Sequence, residues 1–113
     1  MNKQSIIEFI KAEKPYLQKQ FGVEEIALFG SYARGEEKLG SDVDILVSLN
    51  KPSYSLLMGL YAYLENKLNM KIDVIRKGPH ISERFLKYIN KDLIYVCNRK
   101  IYFGNYFRAF ECM

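Results

Sequence analysis

The chain has few of the residues that form disulfide bonds or bind structural metal ions. Its 113 residues include two cysteines, one histidine, three prolines and no tryptophan. Cys97 and Cys112 lack the spacing of a zinc site. We therefore expect reduced thiols in a cytoplasmic protein. With so little proline there is no proline-rich linker, and we find no internal repeat or low-complexity segment.

Long apolar runs are also missing from the sequence. No stretch approaches the roughly 18 consecutive apolar residues that a membrane span needs, so we expect no membrane association. The first residues, MNKQSIIEFIKAEK, are charged from the start and lack the continuous apolar segment of a secretory signal peptide. A secreted or membrane-anchored protein is therefore not what this sequence predicts.

The composition is that of a folded globular domain. Hydrophobic residues make up 49% and charged residues 27% of the chain, which is typical of globular proteins. The net charge is +4, but lysine and arginine are scattered, so we expect a mildly basic surface and no sequence-specific nucleic-acid binding. We predict one domain over residues 1–97 and an aromatic-rich extension over residues 98–113.

Short apolar strands alternate with amphipathic helices along the chain. Strands are predicted at 25–29, 42–49 and 71–75, with a further extended segment at 93–96. Helices are predicted from Ser5 to Gly22, at 31–36, at 55–68 and from Ser82 to Asn90. This order places the protein in the α/β or α+β class, with a small mixed sheet covered by helices.

Two local patterns lead to more specific structural predictions. Ser5 and Glu8 have the spacing of a capping box, and Pro15 predicts a kink or restart of the first helix. In the extension, the aromatic residues recur at the spacing of one helical face, which predicts a helix: Tyr102, Phe103, Tyr106, Phe107 and Phe110. That helix could pack on the domain, dock a partner or a second copy, or be a poorly ordered extension, because Gly104 and Asn105 weaken it.

Two aspartates inside an apolar strand carry the strongest chemical signal. Asp42 and Asp44 project to the same face of their strand. Two carboxylates that lie so near each other repel one another unless a cation neutralises them. Mg²⁺ prefers such oxygen ligands. Asp73 alternates with Ile72 and Val74 in the next strand and can complete a site for two metal ions, which is suited to in-line displacement at phosphorus.

The segment upstream of these aspartates has the features of a phosphate site. Gly30 and Ser31 join a strand directly to a short helix, where free backbone N–H groups can bind an anion. Gly30 allows close approach of the backbone, the Ser31 hydroxyl can donate a hydrogen bond, and Arg34 can add a charged contact. A phosphate site beside a carboxylate cluster indicates chemistry on a nucleoside triphosphate.

The residues FGSYARGE and SDVDILV resemble the Gly-Ser-x10-Asp-x-Asp signature of the DNA polymerase β superfamily. Residues 5–97 resemble its minimal nucleotidyltransferase (MNT) domain, with Gly30, Ser31, Asp42 and Asp44 at signature positions and Asp73 as the third carboxylate. The resemblance implies a mixed-sheet nucleotidyltransferase fold, Mg²⁺ dependence and transfer of a nucleoside monophosphate with release of pyrophosphate.

The resemblance also implies a partner. Many stand-alone MNT proteins are antitoxins of HEPN ribonuclease toxins, and they are thought to add AMP from ATP to a toxin tyrosine. The catalytic unit here leaves little of the chain for an acceptor pocket, which favours a protein acceptor. Two alternatives stay open, namely transfer to a small molecule or RNA end, and neutralisation of the partner by binding alone. A homo- or hetero-oligomer stays open as well.

Overall fold

A computed structural model of the chain describes residues 2–96 with their side chains and the backbone of residues 101–103 and 106–108. The prediction that the two cysteines are reduced concerns residues outside this part of the chain. The elements in chain order are α1 (Lys3–Phe21), β1 (Val23–Phe29), α2 (Gly30–Arg34), β2 (Val43–Leu49), α3 (Tyr54–Leu68), β3 (Ile72–Arg76), α4 (Glu83–Asn90), β4 (Ile94–Tyr95), β5 (Ile101–Phe103) and β6 (Tyr106–Arg108).

Four of the strands form one mixed sheet in the order β3-β2-β1-β4. β1 lies between β2 and β4 and is antiparallel to both. β2 and β3 run parallel, as expected for two strands joined by the crossover helix α3. The predicted small mixed sheet with helices packed on it is confirmed.

The two faces of the sheet are covered unequally. The larger core lies between one face and the helices α1 and α3, and its fully buried side chains include Ile10, Leu17, Ile45, Leu60 and Ile72. On the opposite face a smaller cluster is formed by Ala27, Phe29 and Leu46 with Ile89 of α4. Among the described residues, this second face is covered by α4, a helix of eight residues.

The first helix differs from its predicted start and course. Asn2 is the N-cap residue, and it forms a capping box with Ser5, so the predicted box between Ser5 and Glu8 is wrong. The helix runs without a break through Pro15. The predicted restart there is therefore wrong as well, since burial of the apolar face on both sides of Pro15 outweighs the local cost of proline. The predicted stop at Gly22, with φ of 71°, is confirmed.

The aromatic extension is not helical where the structure describes it. Ile101–Phe103 and Tyr106–Arg108 are antiparallel strands of a separate two-stranded sheet. Over these two strands the predicted helix is wrong, because aromatic residues favour strands, whereas Phe110 lies outside the described residues. The helical spacing of these aromatic residues was a weaker signal than their strand preference.

Among the helices that the structure describes, none is long and apolar enough to cross a lipid bilayer. The longest is α1, whose 19 residues include several lysines and glutamates.

A buried lysine links α1 to the end of the sheet. Lys14 is 6% exposed, and its Nζ donates a hydrogen bond to the carbonyl oxygen of Val96 at 2.9 Å. An unpaired buried ammonium would be strongly unfavourable, so this bond allows the charge to be buried. The sequence pattern did not predict it, because Val96 is 82 residues away in the chain.

Lys14→Ala should lower the free energy of unfolding by about 1–3 kcal/mol, since it removes the packed stem and leaves the Val96 carbonyl without this donor. Urea denaturation would measure the loss. Lys19→Ala is the control, because Lys19 is exposed near the end of the same helix, and it should change stability by no more than about 0.5 kcal/mol. Equal losses in the two variants would contradict a structural role for the Lys14–Val96 bond.

Candidate active site

Strand register brings the predicted carboxylates together. Asp44 of β2 is paired with Asp73 of β3 in the parallel ladder and with Phe29 of β1 in the antiparallel one. Gly30 follows Phe29 directly, so the start of α2 lies beside Asp44. The sheet thus places two segments that are distant in sequence next to the same carboxylate.

These carboxylates lie on the sheet face that α4 covers. In β2 the residues Val43, Ile45 and Val47 belong to the larger core, whereas Leu46 belongs to the smaller cluster on the α4 side. Because side chains alternate along a strand, Asp44 lies on the α4 side with Leu46. By the same rule Asp73 lies there too, since its neighbours Ile72 and Val74 enter the larger core.

A cavity of about 330 Å³ opens between this part of the sheet, α2 and α4. One part of its lining is polar and contains Gly30, Ser31, Arg34, Asp44, Asp73 and Asp92. The other part is apolar and contains Phe29, Ile75, Phe85, Tyr88 and Ile89. Five of the six predicted site residues line the cavity. Asp42, the sixth, does not line it, although its charge raises the pKa of Asp44.

Gly30 is required at its position for two reasons. Its φ is +77°, a left-handed conformation that favours glycine. A Cβ atom there would collide with the Oδ2 atom of Asp44. The backbone at Gly30 therefore approaches the Asp44 carboxylate too closely to leave room for a side chain, and the predicted approach to a phosphate stays a prediction.

The electrostatics of Asp44 show an excess of negative charge. Burial, followed by repulsion from Asp73 and then from Asp42, raises the pKa of Asp44 to about 6 from its ordinary value of 3.8. Arg34 opposes this increase but does not cancel it. Carboxylates whose charge is uncompensated in this way are the oxygen donors that a hard divalent cation prefers.

The donor set therefore fits Mg²⁺ in its chemistry. Within the described part of the chain, however, no three aspartate, glutamate, histidine or cysteine side chains lie close enough together to form a metal site. The structure brings Asp44 and Asp73 to one cavity, and the assignment of Asp42, Asp44 and Asp73 as metal ligands stays a prediction.

Arg34 is held by two carboxylates at the edge of the cavity. Its Nε donates to Glu36 at 2.8 Å and its Nη1 to Asp92 at 2.9 Å. These bonds raise the pKa of the Arg34 guanidinium, with Asp92 contributing most. The predicted phosphate contact of Arg34 would have to form beside these two partners or replace one of them.

Two residues that line the cavity were not identified from the sequence. Asp92 and Tyr88 lie in or just after α4, where a carboxylate and a tyrosine have no special spacing. Only the packing of α4 on the sheet reveals that they line the same cavity as Asp44 and Asp73.

Comparison with known proteins identifies the family. Residues 7–101 match the nucleotidyltransferase domain family. The chain belongs to this family. The match includes every predicted site residue, and the enzyme class that the site chemistry indicated is confirmed: the protein is a nucleotidyltransferase.

Two relatives in archaea match most of this nucleotidyltransferase. A candidate protein adenylyltransferase of Methanocaldococcus jannaschii is 44% identical over 94 residues, which cover 80% of this chain and 94% of that protein. The protein adenylyltransferase MntA of Thermococcus cleftensis is 38% identical over 94 residues, covering 82% and 94% of the two chains.

Solved structures agree with the fold. A minimal nucleotidyltransferase superposes with a TM-score of 0.70 at 23% identity and covers 83% of this chain and 95% of its own. A complex of a tri-AMPylated HEPN toxin with an MNT antitoxin from Shewanella oneidensis gives a TM-score of 0.57 at 17% identity, covering 80% and 71%. The predicted MNT-type fold is thereby confirmed.

The pKa of Asp44 predicts how stability depends on pH. Between pH 3.8 and about 6, the Asp44 carboxyl binds a proton more strongly in the native protein than in the unfolded chain. The stability of the native protein therefore falls as the pH rises through this window. Without divalent cations, Asp44→Asn should therefore melt at a higher temperature than the wild type at pH 8, and this advantage should shrink at pH 4.

Thermal unfolding in EDTA at both pH values would measure this difference. Glu24→Gln is the control, because Glu24 is an exposed carboxylate in β1 that does not line the cavity. If Asp44→Asn gave no more stability at pH 8 than at pH 4, the proposed charge repulsion at the site would be wrong.

Proposed function

We propose that this nucleotidyltransferase transfers AMP from ATP to a tyrosine hydroxyl of a HEPN-domain toxin and thereby acts as its antitoxin. The observation that carries the proposal is the pairing of Asp44 with Asp73 beside Gly30 and Ser31 in one cavity. Relatives named protein adenylyltransferase and the fold shared with an MNT antitoxin bound to an AMPylated HEPN toxin support the choice of donor and acceptor.

The polar lining of the cavity, together with Asp42 outside it, would bind the triphosphate and its metal ions. Gly30 and Ser31 would bind the triphosphate, with the Ser31 hydroxyl donating to a phosphate oxygen. Asp42, Asp44 and Asp73 would hold two Mg²⁺ ions. When bound, these ions supply charge stabilisation at the attacking and leaving oxygens of an in-line displacement.

The proposed reaction forms one bond and breaks another. The tyrosine oxygen attacks the α-phosphorus of ATP, the bond from that phosphorus to the bridging oxygen of pyrophosphate breaks, and pyrophosphate leaves. The phenolic proton passes to Asp73, which is the most exposed of the three carboxylates. Asp44, whose pKa is about 6, is mostly ionised at pH 7 and keeps its capacity to bind a cation.

Label transfer from ATP tests the proposal directly. With α-labelled ATP, Mg²⁺ and a HEPN toxin as acceptor, we expect label on a toxin tyrosine and loss of toxin ribonuclease activity. Changing Asp42 and Asp44 together to alanine should reduce transfer by at least about 10³-fold, because charge stabilisation of the transition state is lost. Glu24→Ala should transfer label like the wild type.

The other possible outcomes would each change a different part of the proposal. Label that persists on the toxin in the double variant would contradict the assignment of the site. Label on RNA or on a small molecule, with none on protein, would favour the alternative acceptors. Full neutralisation of the toxin by the double variant would show that binding alone is sufficient.

Comparing alanine variants of two glycines distinguishes the effect of Gly30 on the position of Asp44 from its effect on backbone strain. Gly30 and Gly35 have similar φ angles of +77° and +71°, but a Cβ atom would collide with Asp44 only at Gly30 and would meet nothing within 4 Å at Gly35. Gly30→Ala and Gly35→Ala should each cost about 1–2 kcal/mol of stability. Only Gly30→Ala should lose transfer activity, by about 10²-fold, because it displaces the Asp44 carboxylate.

Urea denaturation and the label-transfer rate would measure the two effects separately. If both variants lost activity equally, backbone strain and not the position of Asp44 would explain the requirement for Gly30.

A further inference from the structure

The apolar part of the cavity has no role in the chemistry of phosphate transfer. Most of it is explained by packing. Phe29 and Ile89 are buried in the smaller core, and the rings of Phe29 and Phe85 are in edge-to-face contact at 6.3 Å. These side chains hold α4 against the sheet.

Tyr88 is the exception in this lining. Its side chain lines the cavity but is 68% exposed, and it belongs to neither core cluster. Leaving a large aromatic side chain in solvent contributes little to folding. Packing therefore does not explain why a tyrosine lies at this margin of the cavity.

The position of Tyr88 on α4 follows from helical spacing. Phe85 and Ile89 are four residues apart in α4, and both line the cavity, as side chains on one helical face do. Asp92, just after the helix, lines it as well. Tyr88 is three residues after Phe85 and flanks that face. Because its side chain lines the cavity and is also largely exposed, the ring lies at the margin of the cavity.

One further contact orients the ring. The Nζ of Lys91 lies 5.6 Å from the centroid of Tyr88, a cation–π distance. No aromatic ring from residues 2–96 stacks on Tyr88. The ring thus contacts a cation at the end of α4 and has no ring partner among residues 2–96.

We propose that Tyr88 stacks on the purine base of the bound nucleotide. The inference rests on the proposed function, in which the polar lining binds the triphosphate. The base is then the part of the substrate that requires an apolar, flat surface, and Tyr88 supplies one at the margin of the same cavity. Stacking on an aromatic side chain is favourable for any base. Tyr88 therefore contributes to the affinity for the nucleotide and not to selectivity between bases.

Binding measurements can isolate this contact from catalysis. Calorimetric titration of the full chain with a nonhydrolysable ATP analogue and Mg²⁺ would compare the wild type with Tyr88→Leu and Tyr88→Phe. Tyr88→Leu should weaken binding by about 10- to 100-fold, whereas Tyr88→Phe, which keeps the ring, should bind within about twofold of the wild type. Tyr54→Leu is the matched control, because Tyr54 is 77% exposed and does not line this cavity.

Inorganic triphosphate provides a second control, because it has no base. Its affinity in the presence of Mg²⁺ should be the same for the wild type and Tyr88→Leu. If Tyr88→Leu weakened both ligands equally, or if Tyr88→Phe bound the analogue as poorly as Tyr88→Leu, the stacking role would be overturned. A wild-type affinity retained in Tyr88→Leu would also overturn it while leaving the proposed function intact. Failure of the wild type to bind either ligand would overturn both proposals.

Discussion

The register of β2 between its two neighbours is the constraint on which the site depends. The parallel ladder sets Asp44 opposite Asp73, and the antiparallel ladder sets it opposite Phe29. This register is fixed by burial. A shift of β2 by one residue would turn Val43, Ile45 and Val47 out of the larger core and bury the carboxylate of Asp44 in their place. The same apolar side chains that stabilise the sheet therefore position the site.

The site in turn costs the fold some stability. Carboxylates on adjacent strands repel one another, and this repulsion and partial burial raise the pKa of Asp44. α4 leaves room for the cavity on this face, so the face has a smaller buried cluster than the opposite one. Functional sites commonly combine such uncompensated charge with reduced packing. In this protein both features lie on the sheet face that α4 covers.

The sequence predicted the features that depend on local chemistry. The strands, the caps at Gly22 and Ser82 and the proximity of Gly30 to the aspartates all follow from backbone preferences and alternation. It did not predict the order of strands in the sheet or the Arg34–Asp92 bond across 58 residues, because these depend on how distant elements pack. At Asn2 and in the aromatic extension two local patterns compete, and the structure follows the one that the sequence prediction did not.

The most direct test of the proposed site is the position of a divalent cation. Mn²⁺ can replace Mg²⁺ at oxygen ligands and is visible by anomalous X-ray scattering. In a crystal of this protein grown with Mn²⁺ and a nonhydrolysable ATP analogue, we expect an anomalous peak at about 2.0–2.2 Å from carboxylate oxygens of both Asp44 and Asp73. The triphosphate should lie against Gly30 and Ser31. A nucleotide bound elsewhere, or Mn²⁺ bound without these two carboxylates, would contradict it.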